Sequence, residues 1–172
     1  MYNIINQIIS FFNTRTITKE QITNHCSNLG ISRDQLTEFT IPDGVTEIGR
    51  EAFQGCTSLT SITIPDSVTK IGNLAFDLCA SLTSITIPEG VTEICQSAFY
   101  GCTSLTSINI PDGITEIHSH TFIYCPSLSS ITIPDSVTKI GAHAFGNCTS
   151  LSSITIPDSV TKIAHLTFYE CT

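Results

Sequence analysis

The feature that most restricts what this chain can become is its period. Ile-Pro pairs stand at Ile41-Pro42, Ile64-Pro65, Ile87-Pro88, Ile110-Pro111, Ile133-Pro134 and Ile156-Pro157, each 23 residues after the last. The same step carries Leu36 through Leu59, Leu82, Leu105 and Leu128 to Leu151, and Phe53 through Phe76, Phe99, Phe122 and Phe145 to Phe168. It also relates Cys56, Cys79, Cys102, Cys125, Cys148 and Cys171. One unit reads L-x-x-I-x-I-P-x-x-V-x-x-I-x-x-x-A-F-x-x-C-x-S. Repetition without an insertion calls for a stack of equivalent coils, because a unit this short has no core of its own until neighbours cover it.

Within one unit, Leu59-Thr60-Ser61-Ile62-Thr63-Ile64 alternates apolar with polar residues and is rich in β-branched side chains, which suits a short strand with Ile62 and Ile64 facing inward. Pro65 ends it, having no N–H to donate. The chain then turns through Asp66-Ser67, places Val68 and Ile71 inward, and returns through Ala75-Phe76 to Cys79. Stacking sets equivalent strands about 4.8 Å apart in a parallel sheet and turns each column of identical residues into an internal ladder.

The unit resembles the leucine-rich repeats of bacterial and protozoan surface proteins of the BspA type, also called the Treponema pallidum type, which share the I-P-x-x-V-x-x-I-G-x-x-A-F-x-x-C core. The resemblance covers Leu36 to Thr172. It implies an α/β solenoid, a right-handed superhelix of six 23-residue coils with a parallel β-sheet on its concave face and a small N-terminal helical cap. It also implies an adhesin-like or host-interaction role. The domain reading is a cap over 1–35 followed by repeats over 36–58, 59–81, 82–104, 105–127, 128–150 and 151–172.

In the cap, Ile4, Ile5, Ile8, Ile9 and Phe12 fit one helical face, and Thr18-Lys19-Glu20-Gln21 is a capping box opening a second helix through Ile22, Cys26 and Leu29, closed by Gly30. A solenoid needs its first coil covered, and these helices are expected to do that. The sixth unit is followed by no polar capping repeat, so its coil is expected to expose apolar side chains and a strand edge, favouring a homo-oligomer through that end or a place within a longer chain.

The formal charge of −8, with only 7 Lys+Arg and no basic run, argues against a nucleic-acid surface. No stretch reaches the roughly 20 apolar residues of a membrane span, and no charged segment precedes the apolar N-terminus as a signal peptide requires, so the sequence reads as cytoplasmic although the resembled family is often at the cell surface.

Six of the eight cysteines form the ladder Cys56 to Cys171, whose spacing is the coil repeat and not a zinc-ligand pair, so buried, reduced, structural thiols are expected. Cys26 and Cys95 lie off the ladder and are expected to be the more reactive ones. His120 and His143 share a phase, with His118 and His165 near it; these read as solvated variable positions, and neither metal nor cofactor is expected. The column Asp43, Asp66, Glu89, Asp112, Asp135 and Asp158 is expected to bond nearby backbone N–H groups at the turns. No nucleophile elbow, phosphate loop or zinc-protease motif occurs, and a uniform repeat makes a poor active site.

The candidate binding surface is the strand face: Ser61, Thr63, Ser84, Thr86, Ser107, Asn109, Ser130, Thr132, Ser153 and Thr155, flat, neutral and rich in hydroxyls. Variable columns add Tyr100, Tyr124 and Tyr169 on another side, where aromatic anchors suit a partner. The reading is a non-catalytic scaffold for protein–protein interaction. The alternatives are an ice- or carbohydrate-surface binder using the Ser/Thr face, and a structural repeat that self-associates.

Overall fold

A computed structural model describes residues 14–171. The helix expected over Ile4 to Phe12 falls outside them. Strand β1 (Thr16–Ile17) leads into helix α1 (Lys19–Asn28) and a single 3-10 turn, Arg33–Gln35. The capping box is present in full, with Gln21 N–H donating to the Thr18 hydroxyl and the Thr18 amide donating to the Gln21 side chain. Leu29 is the C-cap, and Gly30 follows at φ +71°, as a helix exit of this type favours. Ile22 and Cys26 face the core, whereas Leu29 is 59% exposed.

The coils carry two lines of parallel strands, where the sequence pattern pointed to one. The expected line is β2 (Glu38–Thr40), β4 (Ser61–Thr63), β6 (Ser84–Ile85), β8 (Ser107–Ile108) and β10 (Ser130–Ile131). The second is β3 (Glu47–Ile48), β5 (Lys70–Ile71), β7 (Glu93–Ile94), β9 (Glu116–Ile117), β11 (Lys139–Ile140) and β12 (Lys162–Ile163). Pairing is parallel in both, one coil apart in register, as in Ile48↔Ile71 and Ser84↔Ser107. The V-x-x-I segment is too short to alternate visibly, so its strand character was hidden. The cap also supplies a strand, because β1 pairs with β3 through Ile17↔Ile48. In the sixth coil no strand is assigned over Ser153 to Thr155, and the expected line ends at β10.

The core is the set of ladders. Phe53, Phe76, Phe99, Phe122 and Phe145 are fully buried, and each ring stacks on the next at 5.3–5.6 Å between centroids. Phe168 continues the stack at 5.5 Å. Leu59, Leu82, Leu105 and Leu128, with Val45, Val68, Val91 and Val137, complete it at 0% exposure. Each proline carbonyl closes the following turn, as in Val68 N–H to Pro65 O at 3.1 Å.

Two corners of every coil turn through left-handed backbone. Glu51, Leu74, Ser97, His120, His143 and Leu166 occupy one, with φ between +53° and +62°, although none is glycine. Leu78, Tyr124, Asn147 and Glu170 share the other with Gly55 and Gly101. L-residues there cost roughly 1–2 kcal/mol each, which the stacking around them must offset.

A third column sets how closely coils approach. At Gly72 a Cβ would stand 2.9 Å from the Ile48 carbonyl, and at Gly49 2.7 Å from the Ile17 carbonyl. In the fourth coil this position is His118. There the second strand line breaks: β7 and β9 are not paired. Among the described residues the amides of Thr115 and His118 find no acceptor in the third coil, whereas their counterparts Thr138 and Gly141 donate to Thr115 and Ile117 at 2.9 and 2.7 Å. Cys95 and Ala164 also bear side chains in this column and keep their bonds, to Ile71 O and Ile140 O at 2.9 Å, so the break is confined to the coil that carries the larger His118.

Candidate functional site

The strand face is built as its alternation implies. Ser61, Thr63, Ser84, Thr86, Ser107, Asn109, Ser130, Thr132, Ser153 and Thr155 are all exposed, while the intervening Ile85, Ile108 and Ile131 are buried. The hydroxyl rows flanking this face partly serve the fold. Thr60 Oγ1 donates to Thr37 O at 3.0 Å and Thr106 Oγ1 to Thr83 O at 3.1 Å, so these residues tie coils together. A shallow depression of about 430 Å³ lies across Ser84, Thr86, Ser107, Asn109 and Thr132.

Asn109 departs from its column in a way the sequence did not disclose. Its Oδ1 accepts from Ile87 N–H at 2.9 Å and its Nδ2 donates to Ile87 O at 2.8 Å, so the side-chain amide imitates a neighbouring strand. It is therefore a clamp on the third coil, with its polar atoms already used. It also interrupts the threonine row in the middle of the face, which works against the lattice match that an ice-binding surface needs.

The aromatic side lies at the left-handed corners. Tyr124 is 47% exposed and meets Tyr100 edge-on at 5.5 Å; Tyr169 is 46% exposed and meets His143 at 6.3 Å. The histidines, expected as solvated variable positions, are partly or fully exposed but touch one another. His120 stacks on His143 at 5.3 Å and His143 meets His165 at 5.8 Å, while His120 Nδ1 is buried without a partner. Burial, and then the neighbouring imidazoles, hold His120 below the usual imidazole value. His118 stands apart, its Nδ1 at 3.6 Å from Glu116. Among the described residues no group of three or more His, Cys, Asp or Glu could hold a metal ion.

All eight cysteines are free thiols. Past Cys56, each ladder Sγ donates to the phenylalanine carbonyl of the preceding coil: Cys79 to Phe53, Cys102 to Phe76, Cys125 to Phe99, Cys148 to Phe122 and Cys171 to Phe145, at 3.0–3.3 Å. Burial pushes Cys56 up to about 11 and Cys148 to about 12. Cys26 and Cys95, expected to be the more reactive thiols, are buried as well. Cys26 is 1% and Cys95 7% exposed; desolvation raises both, and Cys95, whose Sγ donates to Glu93 at 3.3 Å, reaches about 11.

The acidic column is also corrected. Asp43, Asp66, Glu89, Asp112, Asp135 and Asp158 are all exposed, and among the described residues no backbone N–H donates to their carboxylates. The proline carbonyls close those turns, leaving the acids in solvent.

The polar junction between cap and coils was not legible in the sequence. Arg33 donates to the carbonyls of Ala52 and Gln54 at 2.9 and 2.8 Å; Lys19 holds Glu51 at 2.9 Å and Gln54 at 2.8 Å. Gln54 in turn donates to Asp77 Oδ2 at 2.7 Å. Asp77 is 6% exposed with its Oδ1 unpartnered, and desolvation raises its carboxyl above the ordinary value.

With this geometry in place, the chain can be set beside known proteins. A family model described as "BspA type leucine rich repeat region" matches residues 31–149 and 115–172, in six copies. A leucine-rich-repeat protein from Eubacterium ventriosum is similar, with a TM-score of 0.61 and 30% identity over 79% of this chain and 43% of that one. The Treponema pallidum leucine-rich-repeat protein aligns with a TM-score of 0.54 and 28% identity over 69% of this chain and 66% of that one. A leucine-rich cell surface protein from Faecalibacterium prausnitzii aligns with a TM-score of 0.51 and 30% identity, over 80% of this chain and 52% of that one. The chain thus spans between 43% and 66% of the length of these relatives. No curated protein matches it.

Proposed function

Because the chain belongs to the BspA-type leucine-rich-repeat family, we propose that it is a non-catalytic scaffold whose strand face docks a protein partner. The observation that carries this reading is the set of exposed hydroxyl side chains aligned from coil to coil over the two-line solenoid, hollowed at Ser84, Thr86, Ser107 and Thr132. Side chains on strands are positioned by the ladder beneath them, so little ordering entropy opposes binding. The exposed Tyr124 and Tyr169 supply large, stiff anchors at a neighbouring edge. A uniform face of short hydroxyls suits a repetitive target better than a single shaped epitope, with affinity gathered over several coils. The Faecalibacterium relative is described as a cell surface protein, which fits an adhesin-like role for this chain.

The test is site-specific photo-crosslinking in the source cells. A crosslinker at Ser107 is expected to trap a discrete protein that one at Thr115, on another side of the same coil, does not. Equal trapping from both positions, or none from Ser107, refutes a strand-face partner.

A further inference from the structure

The second strand line carries an outward row of charges in register: Glu47, Lys70, Glu93, Glu116, Lys139 and Lys162. Its first half alternates in sign and is self-neutralising, with Lys70 on Glu93 at 3.0 Å. Its last two rungs do not alternate. Lys139 and Lys162 are register partners on adjacent strands, and like charges so placed repel. Glu116 relieves this poorly. It stands 3.9 Å from Lys139, beyond hydrogen-bond reach, and lies 3.6 Å from His118 on its other side. Among the described residues no carboxylate comes within ion-pair distance of Lys162.

Small residues beside these lysines leave a hollow. Ala142 stands where other coils carry Arg50, Asn73, Gln96 and His165, Gly141 and Ala164 are small as well, and a cleft of about 230 Å³ opens over them, walled by Lys139, Lys162, His165 and the carboxylate-bearing Glu116. Ala142 and Ser119 both line the cleft, and their amides donate to no acceptor among the described residues. Two ammonium groups, an imidazole and unused backbone donors outnumber the single carboxylate of Glu116 around this small cavity, and they are the makings of an oxyanion site. The chain's overall −8 charge does not forbid this, since distant carboxylates are screened beyond roughly 8 Å at physiological ionic strength.

We propose that the cleft between Lys139 and Lys162 binds an oxyanion, the carboxylate or phosphate group of an acidic ligand, on a face separate from the hydroxyl-bearing strand face. The site stands independently of the strand-face reading, and either can fail alone.

The experiment is an amide NMR titration of the full chain with inorganic phosphate and, separately, with acetate, at constant ionic strength and pH. Saturable shifts confined to the amides of Ser119, Gly141, Ala142 and His165 are expected. Lys139→Gln and Lys162→Gln should each weaken the saturating anion about tenfold, the value of one charge-assisted hydrogen bond, while Lys70→Gln leaves it unchanged. Unperturbed spectra elsewhere establish that the variants are folded. Saturation by phosphate alone assigns the site to phosphate esters, and saturation by both assigns it to carboxylates as well. Shifts that are linear in anion, shifts spread over the molecule, or an affinity left unchanged by both Lys139→Gln and Lys162→Gln overturn the proposal.

Discussion

Replacing Phe99 with alanine removes the middle of the aromatic stack. Its ring is fully buried and lies 5.3 Å from Phe76 and 5.6 Å from Phe122. Burial of such a ring contributes about 1.5–3 kcal/mol. Each stacked partner adds about 0.5–1.5 kcal/mol. A rigid ladder cannot collapse into the gap, because each coil's spacing is held by its neighbours' hydrogen bonds, so the loss should fall near the upper part of the usual 3–5 kcal/mol for Phe→Ala. Phe168 has one stacked neighbour, Phe145, and is only partly buried. Phe168→Ala should therefore cost about half as much by the same reckoning. Coils couple only to adjacent coils, so Phe99→Ala is also expected to separate the array into two unfolding units. Urea denaturation followed by far-UV circular dichroism measures both effects. Equal losses for the two variants, with single transitions of unchanged slope, would refute the idea that stability is a sum of nearest-neighbour ladders.

With thiols raised to about 11 at Cys95 and about 12 at Cys148, the seven buried cysteines of native protein at pH 8 should react with Ellman's reagent only at the rate of unfolding, leaving at most the partly exposed Cys171 to label promptly; more than one promptly labelled thiol would refute this. His120 is held below its unfolded value, so the stability it preserves is present above about pH 6.5 and is lost as pH falls through its lower folded value. The melting temperature should fall between pH 7 and 5, and His120→Gln should flatten that fall; an identical profile in the variant removes the imidazole stack as its cause. The coil 151–172 leaves Ile163 49% and Leu166 51% exposed, where the equivalent Ile140 is 1% exposed. Light scattering coupled to size exclusion, with and without reductant, should therefore show a reductant-independent dimer or larger species, and a monomer would count against association through that coil.

The period alone was enough to settle the class of fold and the identity of the inward ladders. Leu, Val, Phe and Cys at fixed phase can be satisfied only by stacking, and the Ser/Thr columns are then forced outward by strand alternation. The fully buried Phe53 to Phe145 column and the exposed Ser61 to Ser153 column bear that out residue by residue. What lay beyond the sequence depends on contacts between coils, which a one-dimensional pattern does not order. The second strand line is two residues per coil, too short for a period of two to appear. Cys95 looked like an outlier because it broke a column, yet the fold buries it and desolvation raises its thiol. Asn109 resembled one more polar residue on the face, and only the position of the Ile87 backbone made it a clamp. The second strand line is interrupted at His118, a break that no pattern in the sequence announced. The sequence by itself decided which residues stack. The tertiary structure decided how closely the coils approach, and that spacing, set by side chains packed from the neighbouring turn, determines which of the outward groups remain free to bind.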